Sequence, residues 1–302
     1  DDAGITVAER EFPVAGGQNT DTQVDNVVIT MSSNSVNVGP FAPASPGSVG
    51  KAELWARLFW QPYTGAPIEE CVPWMAKDYE IIDDYTIEVE IYDYIYDSKG
   101  NHITADDIIW SGQTSLEIGQ FVDYGNVASA EKIDDYTIRY TMTSKAPNLF
   151  SMVLCNGMFC TVDQEWYENA SDEERSTNPA TTGPYTVKEF VSGSRAVLEA
   201  RVDYWQTDDA LNEGIHPTYQ NVKTITYTAI TEASMRVIAL QNGEVDIAGI
   251  SATDLGNFYD IETGTNLDGW NCLVAEPTAL HGIFPNMSED NVVGQNLDLR
   301  KA

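Results

Sequence analysis

The side chains able to do chemistry in this chain are abundant in one kind only. Carboxylates outnumber Lys and Arg 47 to 16, leaving a formal net charge of −31. They recur as adjacent pairs at Asp83-Asp84, Asp106-Asp107 and Asp134-Asp135. Two close carboxylates can divide acid and base roles, but Asp pairs also suit turns and helix starts, where they accept from backbone N–H groups. The flanking residues favour that second reading. The histidines, His102, His216 and His281, are scattered and read as structural or exposed. Asp21, Gln23 and Asp25 alternate as calcium ligands do, yet the glycine and bidentate Glu of a calcium loop are missing. Cys71, Cys155, Cys160 and Cys272 form no C-x-x-C pair and have no His at zinc spacing. Cys155 and Cys160 either bridge a short turn or stay free, since sequence does not give their Cα separation. Phosphate-loop, dinucleotide, G-x-S-x-G and H-E-x-x-H signatures are absent. The expectation is a protein with no catalytic residues, no cofactor and no metal site.

Such an acidic chain excludes nucleic acid or an anionic membrane as the main electrostatic partner. Its charge serves either a solubilising surface or the attraction of cationic ligands. No apolar run reaches the ~20 residues of a spanning helix; the stretch from Leu149 to Val162 is broken by Asn156 and Gly157. The opening Asp1-Asp2-Ala3-Gly4 reads as the trimmed edge of an exported protein whose leader has been removed. Trp55, Trp60, Tyr63, Trp74 and Trp110 could stack on a ligand, with core packing as the default.

The elements that would position any site follow from the patterning. Val27 to Met31 reads as a strand. A loop of Ser, Asn, Pro and Gly leads to Ser48, a possible cap for a helix from Lys51 through Trp55 to Phe59. Strand, loop and helix in that order open an α/β layer. Two segments then echo each other, Glu80-Ile-Ile-Asp-Asp-Tyr-Thr-Ile87 and Glu131-Lys-Ile-Asp-Asp-Tyr-Thr-Ile138. Each predicts a hairpin, with Ile87, Val89 and Ile91 on one face of the first return strand and Ile138, Tyr140 and Met142 on one face of the second. The two hairpins should share one antiparallel sheet. Between them Thr104-Ala105-Asp106-Asp107 predicts a capping box. Thr186 to Phe190 and Ala196 to Ala200 alternate around Ser192-Gly193-Ser194, a further hairpin. Val222 to Thr228 follows as a strand. Glu232 to Gln241 follows as a helix with Met235, Ile238 and Ala239 inward, stopped by Asn242-Gly243. Val245 to Ala248 reads as a short buried strand ending in Gly249-Ile250-Ser251-Ala252, where small residues leave room for a ligand.

Several of these segments together resemble a known family. The run Thr182-Gly183-Pro184-Tyr185, then Lys188-Glu189-Phe190, Gly193 and Asp203-Tyr204-Trp205, resembles the hallmark segment of family 5 extracellular solute-binding proteins, the peptide-, nickel- and oligosaccharide-binding subunits of ABC importers. Pro73-Trp74-Met75-Ala76 with Asp83 to Ile87, Thr104 to Ile108 with Ser111, Arg236 with Ala239-Leu240, Gly243 to Asp246, and Asp298 to Ala302 resemble further family segments in the family's order. Asp97 to His102 departs from the Phe-His-Asp-Gly-like run usual there, at what reads as a turn.

The resemblance implies an α/β, periplasmic-binding-protein-like fold of type II, the venus flytrap. Residues 1–50 and 180–276 would form the α/β core of lobe I, 51–179 an inserted α+β subdomain, and 277–302 a hinge crossing, near Glu276 to Leu280, into the start of lobe II. Family members continue past Asp298 to Ala302, so the implied molecule is cut before most of lobe II. Such a piece is expected to fold and to hold ligand only weakly. Ligand contacts carried over from the family would fall on Gly47, Ser48 and Val49, on Ser251, and on His281, Gly282 and Phe284. The implied function is non-catalytic delivery of an oligopeptide or related small solute to a membrane ABC permease. The molecule would be a monomer outside the cytoplasmic membrane or in the periplasm, held by a lipid anchor on a removed N-terminal segment. A peptide-sensing signalling receptor or a surface interaction protein on the same scaffold is the alternative.

Overall fold

A computed structural model describes residues 24–41, 49–62, 65–146, 148–156, 158–206, 220 and 222–274. Gly47, Ser48, Tyr63, His216, His281, Gly282, Phe284, the Glu276 to Leu280 hinge and the segment Asp298 to Ala302 lie outside the described residues. The chain divides into two compact units, one reaching to Ser251 and the other starting at Ala252.

The first unit opens with β1 (Val24–Met31), a single helical turn α1 (Lys51–Leu54) and the ribbon of β2 (Phe59–Trp60) with β3 (Val72–Pro73). Next come β4 (Ala76–Ile81), β5 (Thr86–Ile91), α2 (Ala105–Glu117), β6 (Val127–Asp134) and β7 (Thr137–Met142). Short helices α3 (Leu149–Leu154), α4 (Gln164–Asn169) and α5 (Asp172–Thr177) precede β8 (Tyr185–Val191), β9 (Arg195–Ala200), β10 (Val222–Ala229) and α6 (Ala233–Gln241).

Both Asp-Asp repeats are hairpins of one antiparallel sheet, ordered β4-β5-β7-β6, with Ile87 opposite Tyr140 and Val89 opposite Ile138. Alternation decides which face is inside. Ile87, Val89, Ile91, Ile138, Tyr140 and Met142 are buried, while Glu88 and Arg139 pair across the outer face at 2.5 Å. The Asp pairs serve turns and caps. Asp83 and Asp134 accept from the backbone N–H of Tyr85 and Tyr136, and Asp107 accepts from the N–H of Thr104 at 2.8 Å, closing the N-terminal box of α2. The Asp97 to His102 run is a turn, with Asp97 accepting from the N–H groups of Lys99 and Asn101.

A second sheet, ordered β1-β10-β9-β8, joins β1 parallel to β10 and closes with the β9–β8 hairpin. Apolar residues gather in two cores. One contains the inner face of the first sheet with Trp74, Phe121 and Phe159. The other contains Met31, Val49, Trp55, Tyr185, Leu198 and Ile225. Trp55 and Trp74 are fully buried, and Trp60 and Trp110 lie against the cores.

Three expectations need correction. The helix at Lys51 is one turn, because Trp55 turns to extended backbone and residues from Ala56 to Phe59 are buried on every side. On α6, Ala239 is inward as expected, but Met235 and Ile238 are about half exposed and Arg236 and Val237 are buried instead. The 245–248 segment makes a single parallel bridge to β1, with Val245 buried and Ile247 exposed.

In the second unit, β11 (Tyr259–Asp260) and β12 (Thr265–Asn266) form a small hairpin, and buried Phe258 meets Trp270 edge-on with centroids 4.7 Å apart.

Candidate functional site

Ligands of open α/β sheets collect at the carboxyl ends of parallel strands, where chain direction leaves a gap between connections. In the first unit three such ends meet. β1 ends at Met31, β10 ends at Ala229, and the Val245 to Ile247 segment runs alongside β1, its register held by Thr30 N–H to Ile247 O (2.9 Å) and Val28 N–H to the Asp246 carboxylate (2.8 Å). Ile230 N–H donates to Met31 O at 3.0 Å, locking two of the ends together.

Arg236 closes the third. Its guanidinium donates to Ile230 O (2.9 Å), Thr231 O (2.9 Å) and Gly249 O (3.0 Å), from a side chain buried at the start of α6. A planar fork with five donors suits several fixed carbonyls at once. It fixes the turn after β10 against the segment that leads to Ser251. The sequence flagged Arg236 only as part of a motif; its bracing role has no local signature. A Cβ added at Gly249 would meet open space, so the backbone around it is uncovered on that side.

Residues 39–41, after β1, are fixed by packing. Lys51 donates through Nζ to Gly39 O (3.1 Å) and Pro40 O (2.8 Å), and Gln120 donates to Pro40 O (2.8 Å). Phe41 lodges against Trp110 and Tyr167. Gly50 caps α1 at φ 64°, a conformation costly for a residue with a Cβ, and a Cβ there would lie 2.6 Å from Leu198. Val49 sends its side chain into the core and its N–H to Asn37 O at 3.2 Å. Ser251 is partly exposed at the last position of the unit. Of the seven contacts expected, these two alone fall among described residues. The buried Val49 side chain is closed to a ligand.

The hallmark hairpin supports this arrangement from below. Buried Arg201 donates to the carbonyls of Thr181 (2.8 Å) and Asp97 (3.0 Å), tying the hairpin to the Asp97 turn. Trp205 Nε1 donates to Thr182 O at 2.7 Å. Burial pushes the Tyr185 hydroxyl, which donates to Val222 O, up to about 12.

Elsewhere a cavity of about 580 Å³ is lined by His102, Asp163, Glu165, Trp166 and Glu174 and shares no residue with the strand ends. His102 stacks on Tyr96 beside it. Among the described residues there is no group of three or more His, Cys, Asp or Glu that could hold a metal ion, and no helix long and apolar enough to cross a membrane.

With this geometry in hand, comparison with known proteins is decisive at residues 70–302, which match the model of the bacterial extracellular solute-binding proteins, family 5. The chain belongs to that family. This family 5 chain is 24% identical over 239 residues to the nickel-binding protein NikA of Staphylococcus aureus, covering 79% of the chain and 43% of NikA. It is 25% identical over 224 residues to the oligopeptide-binding protein AppA of Bacillus subtilis, covering 66% and 38%. The periplasmic binding protein DppA from Helicobacter pylori, solved with the peptide STSA, superposes with a TM-score of 0.64 at 17% identity, covering 79% of the chain and 49% of DppA. The chain therefore spans less than half the length of these relatives, and its fold is the α/β type II periplasmic-binding-protein fold.

Proposed function

We propose that this chain supplies lobe I of a non-catalytic receptor that captures an oligopeptide or a related small solute and delivers it to an ABC permease. In this reading residues 1–50 and 180–276 form the lobe, 51–179 its inserted subdomain, and 277–302 the crossing to a second lobe. The observation that carries it is the meeting of three strand ends, braced by Arg236, beside uncovered backbone at Gly249 and the partly exposed Ser251. Ser251 and the backbone of Val49 face the ligand, and Gly47, Ser48, His281, Gly282 and Phe284 complete the contacts. Open strand-end backbone favours main-chain pairing with an extended peptide, which gives affinity with little demand on sequence. The names of the relatives, peptide- and nickel-binding, keep the solute class broad. The site would work outside the cytoplasmic membrane or in the periplasm, from a monomer, lipid-anchored through a removed N-terminal segment.

Deleting the gene and following growth on peptides as the sole amino-acid source tests the reading. Impaired uptake, restored by the wild-type gene, is expected. Undiminished uptake would favour a sensing or adhesive role and count against transport.

A further inference from the structure

Among the described residues three arginines are buried, Arg57, Arg201 and Arg236, and the fold treats the first of them differently. Arg201 donates to the carbonyls of Thr181, Gly183, Tyr96 and Asp97, and Arg236 to those of Ile230, Thr231 and Gly249. Arg57, only 9% exposed, has one long contact, from Nη1 to Cys155 O at 3.5 Å. Its Nε is buried without a hydrogen-bond partner, and among the described residues nothing accepts from Nη2 either. The centroid of the Trp60 ring lies 5.1 Å from the guanidinium carbon. Glu53, whose charge reaches Arg57, gives its carboxylate to the Tyr227 hydroxyl at 3.2 Å instead. A buried charge left unpaired is costly.

We infer that Arg57 binds the C-terminal carboxylate of the captured peptide. This deepens the reading of the chain as a peptide receptor and rests on it. Nε and Nη2 lie on one edge of the guanidinium plane, and that edge can hold both oxygens of a carboxylate by parallel hydrogen bonds. The contacts to Cys155 O and the Trp60 ring leave it free. In a chain of net charge −31 a carboxylate meets repulsion over most of the surface, so accepting one calls for a cation that is not already committed.

The position of Arg57 suits that role. It stands where the chain passes from one core, which takes Trp55, to the other, which takes Ala56 and Leu58. The same stretch touches the strand ends, since Glu53 bonds to Tyr227, two positions before the end of β10. Main-chain pairing at the strand ends and a grip on the terminal carboxylate both ignore side chains, so together they read a peptide as a peptide.

Calorimetric titration of the protein at its natural full length with trialanine and with trialanine amide, which lacks the terminal charge, tests the inference. Wild type should bind the acid about tenfold more tightly than the amide, or better, the equivalent of one charge-assisted pair. In Arg57→Met the affinity for the acid should fall to that for the amide. Equal affinities in wild type, or a preference for the acid that survives Arg57→Met, would overturn the inference and leave peptide capture standing. Binding of neither peptide would count against the peptide reading, and the site is then judged with acetate alone. Acetate should raise the thermal midpoint of wild type more than that of Arg57→Met, and equal rises would overturn the inference. Because Arg57→Met removes a buried charge that the fold leaves unpaired, the variant should unfold no earlier than wild type when no carboxylate is added. A lower midpoint would make Arg57 a structural residue and also overturn it.

Discussion

Gly183 donates its N–H to Leu54 O at 2.8 Å, and a Cβ at position 183 would lie 2.4 Å from Glu53 O and 2.8 Å from Trp55 N. The hallmark hairpin therefore enters its sheet pressed against the end of α1, backbone on backbone. Neither segment can yield like a flexible side chain. Gly183→Ala should destabilise the first unit by about 1–3 kcal/mol, the cost of forcing extra volume into a packed core. Chemical denaturation measures it, and a loss below about 0.5 kcal/mol, the range of neutral surface changes, would mean that the contact relaxes cheaply.

Arg236 gives a second handle, because three carbonyls depend on one guanidinium. Arg236→Lys keeps the charge but supplies a single nitrogen that cannot reach all three acceptors. Leaving a buried acceptor unpaired costs about 1–3 kcal/mol, so a loss of roughly 2–3 kcal/mol is expected. Hydrogen exchange at Gly249 to Ser251 should also speed up. Unchanged exchange there would show that the strand ends hold themselves.

The two hairpins were legible because Asp-Asp turns and strict alternation speak locally; Ile87, Val89 and Ile138 lie where period two puts them. The phase of α6 was not, because polarity assigns an arginine to solvent, whereas Arg236 is buried on the carbonyls it binds. The run from Leu54 to Phe59 looked helical because its apolar spacing is equally that of a segment enclosed on all sides. Whether Cys155 and Cys160 bridge was open in the sequence, and the fold places them in different cores as free thiols. The same holds for the candidate site. The small residues of Gly249 to Ala252 marked a stretch that leaves room beside a strand end, while the Lys51 anchor on Gly39 and Pro40 depends on contacts distant in sequence.

Asp163 caps α4 by accepting from Trp166 N–H at 2.6 Å, yet burial, with help from Asp107, Asp97 and Glu165, raises its pKa. A raised folded pKa means that the native state binds the proton more tightly than the unfolded chain. Ionised Asp163 therefore subtracts stability, from about 3.8, the ordinary value of an Asp carboxyl, upward through its folded value, and subtracts nothing well below 3.8. Asp163→Asn keeps a cap acceptor and removes the charge. Its stability relative to wild type should be higher at pH 7 than at pH 3, while Asp163→Ala loses the cap and about 0.5–2 kcal/mol. A relative gain for Asp163→Asn that grows on acidification would contradict the assignment.

The surplus of carboxylates makes salt a stabiliser. Ion pairs such as Lys77 with Glu90 and Lys188 with Glu199 are exposed and bind weakly, and 16 cations cannot offset 47 anions. Screening shortens the repulsion to about 3 Å at 1 M salt, from about 10 Å at 0.1 M, so the thermal midpoint should climb as KCl is raised across that range. A midpoint that falls would mean that attractive pairs outweigh net repulsion.

The central claim, capture of a peptide-like solute at the braced strand ends, is tested most directly by native mass spectrometry of the protein at its natural full length, purified from the cells that make it. Ligand released on denaturation should appear as a ladder of masses that fragment as short peptides, the mark of main-chain recognition indifferent to sequence. One sugar, one metal chelate, or a protein that remains empty when offered a peptide library would contradict it.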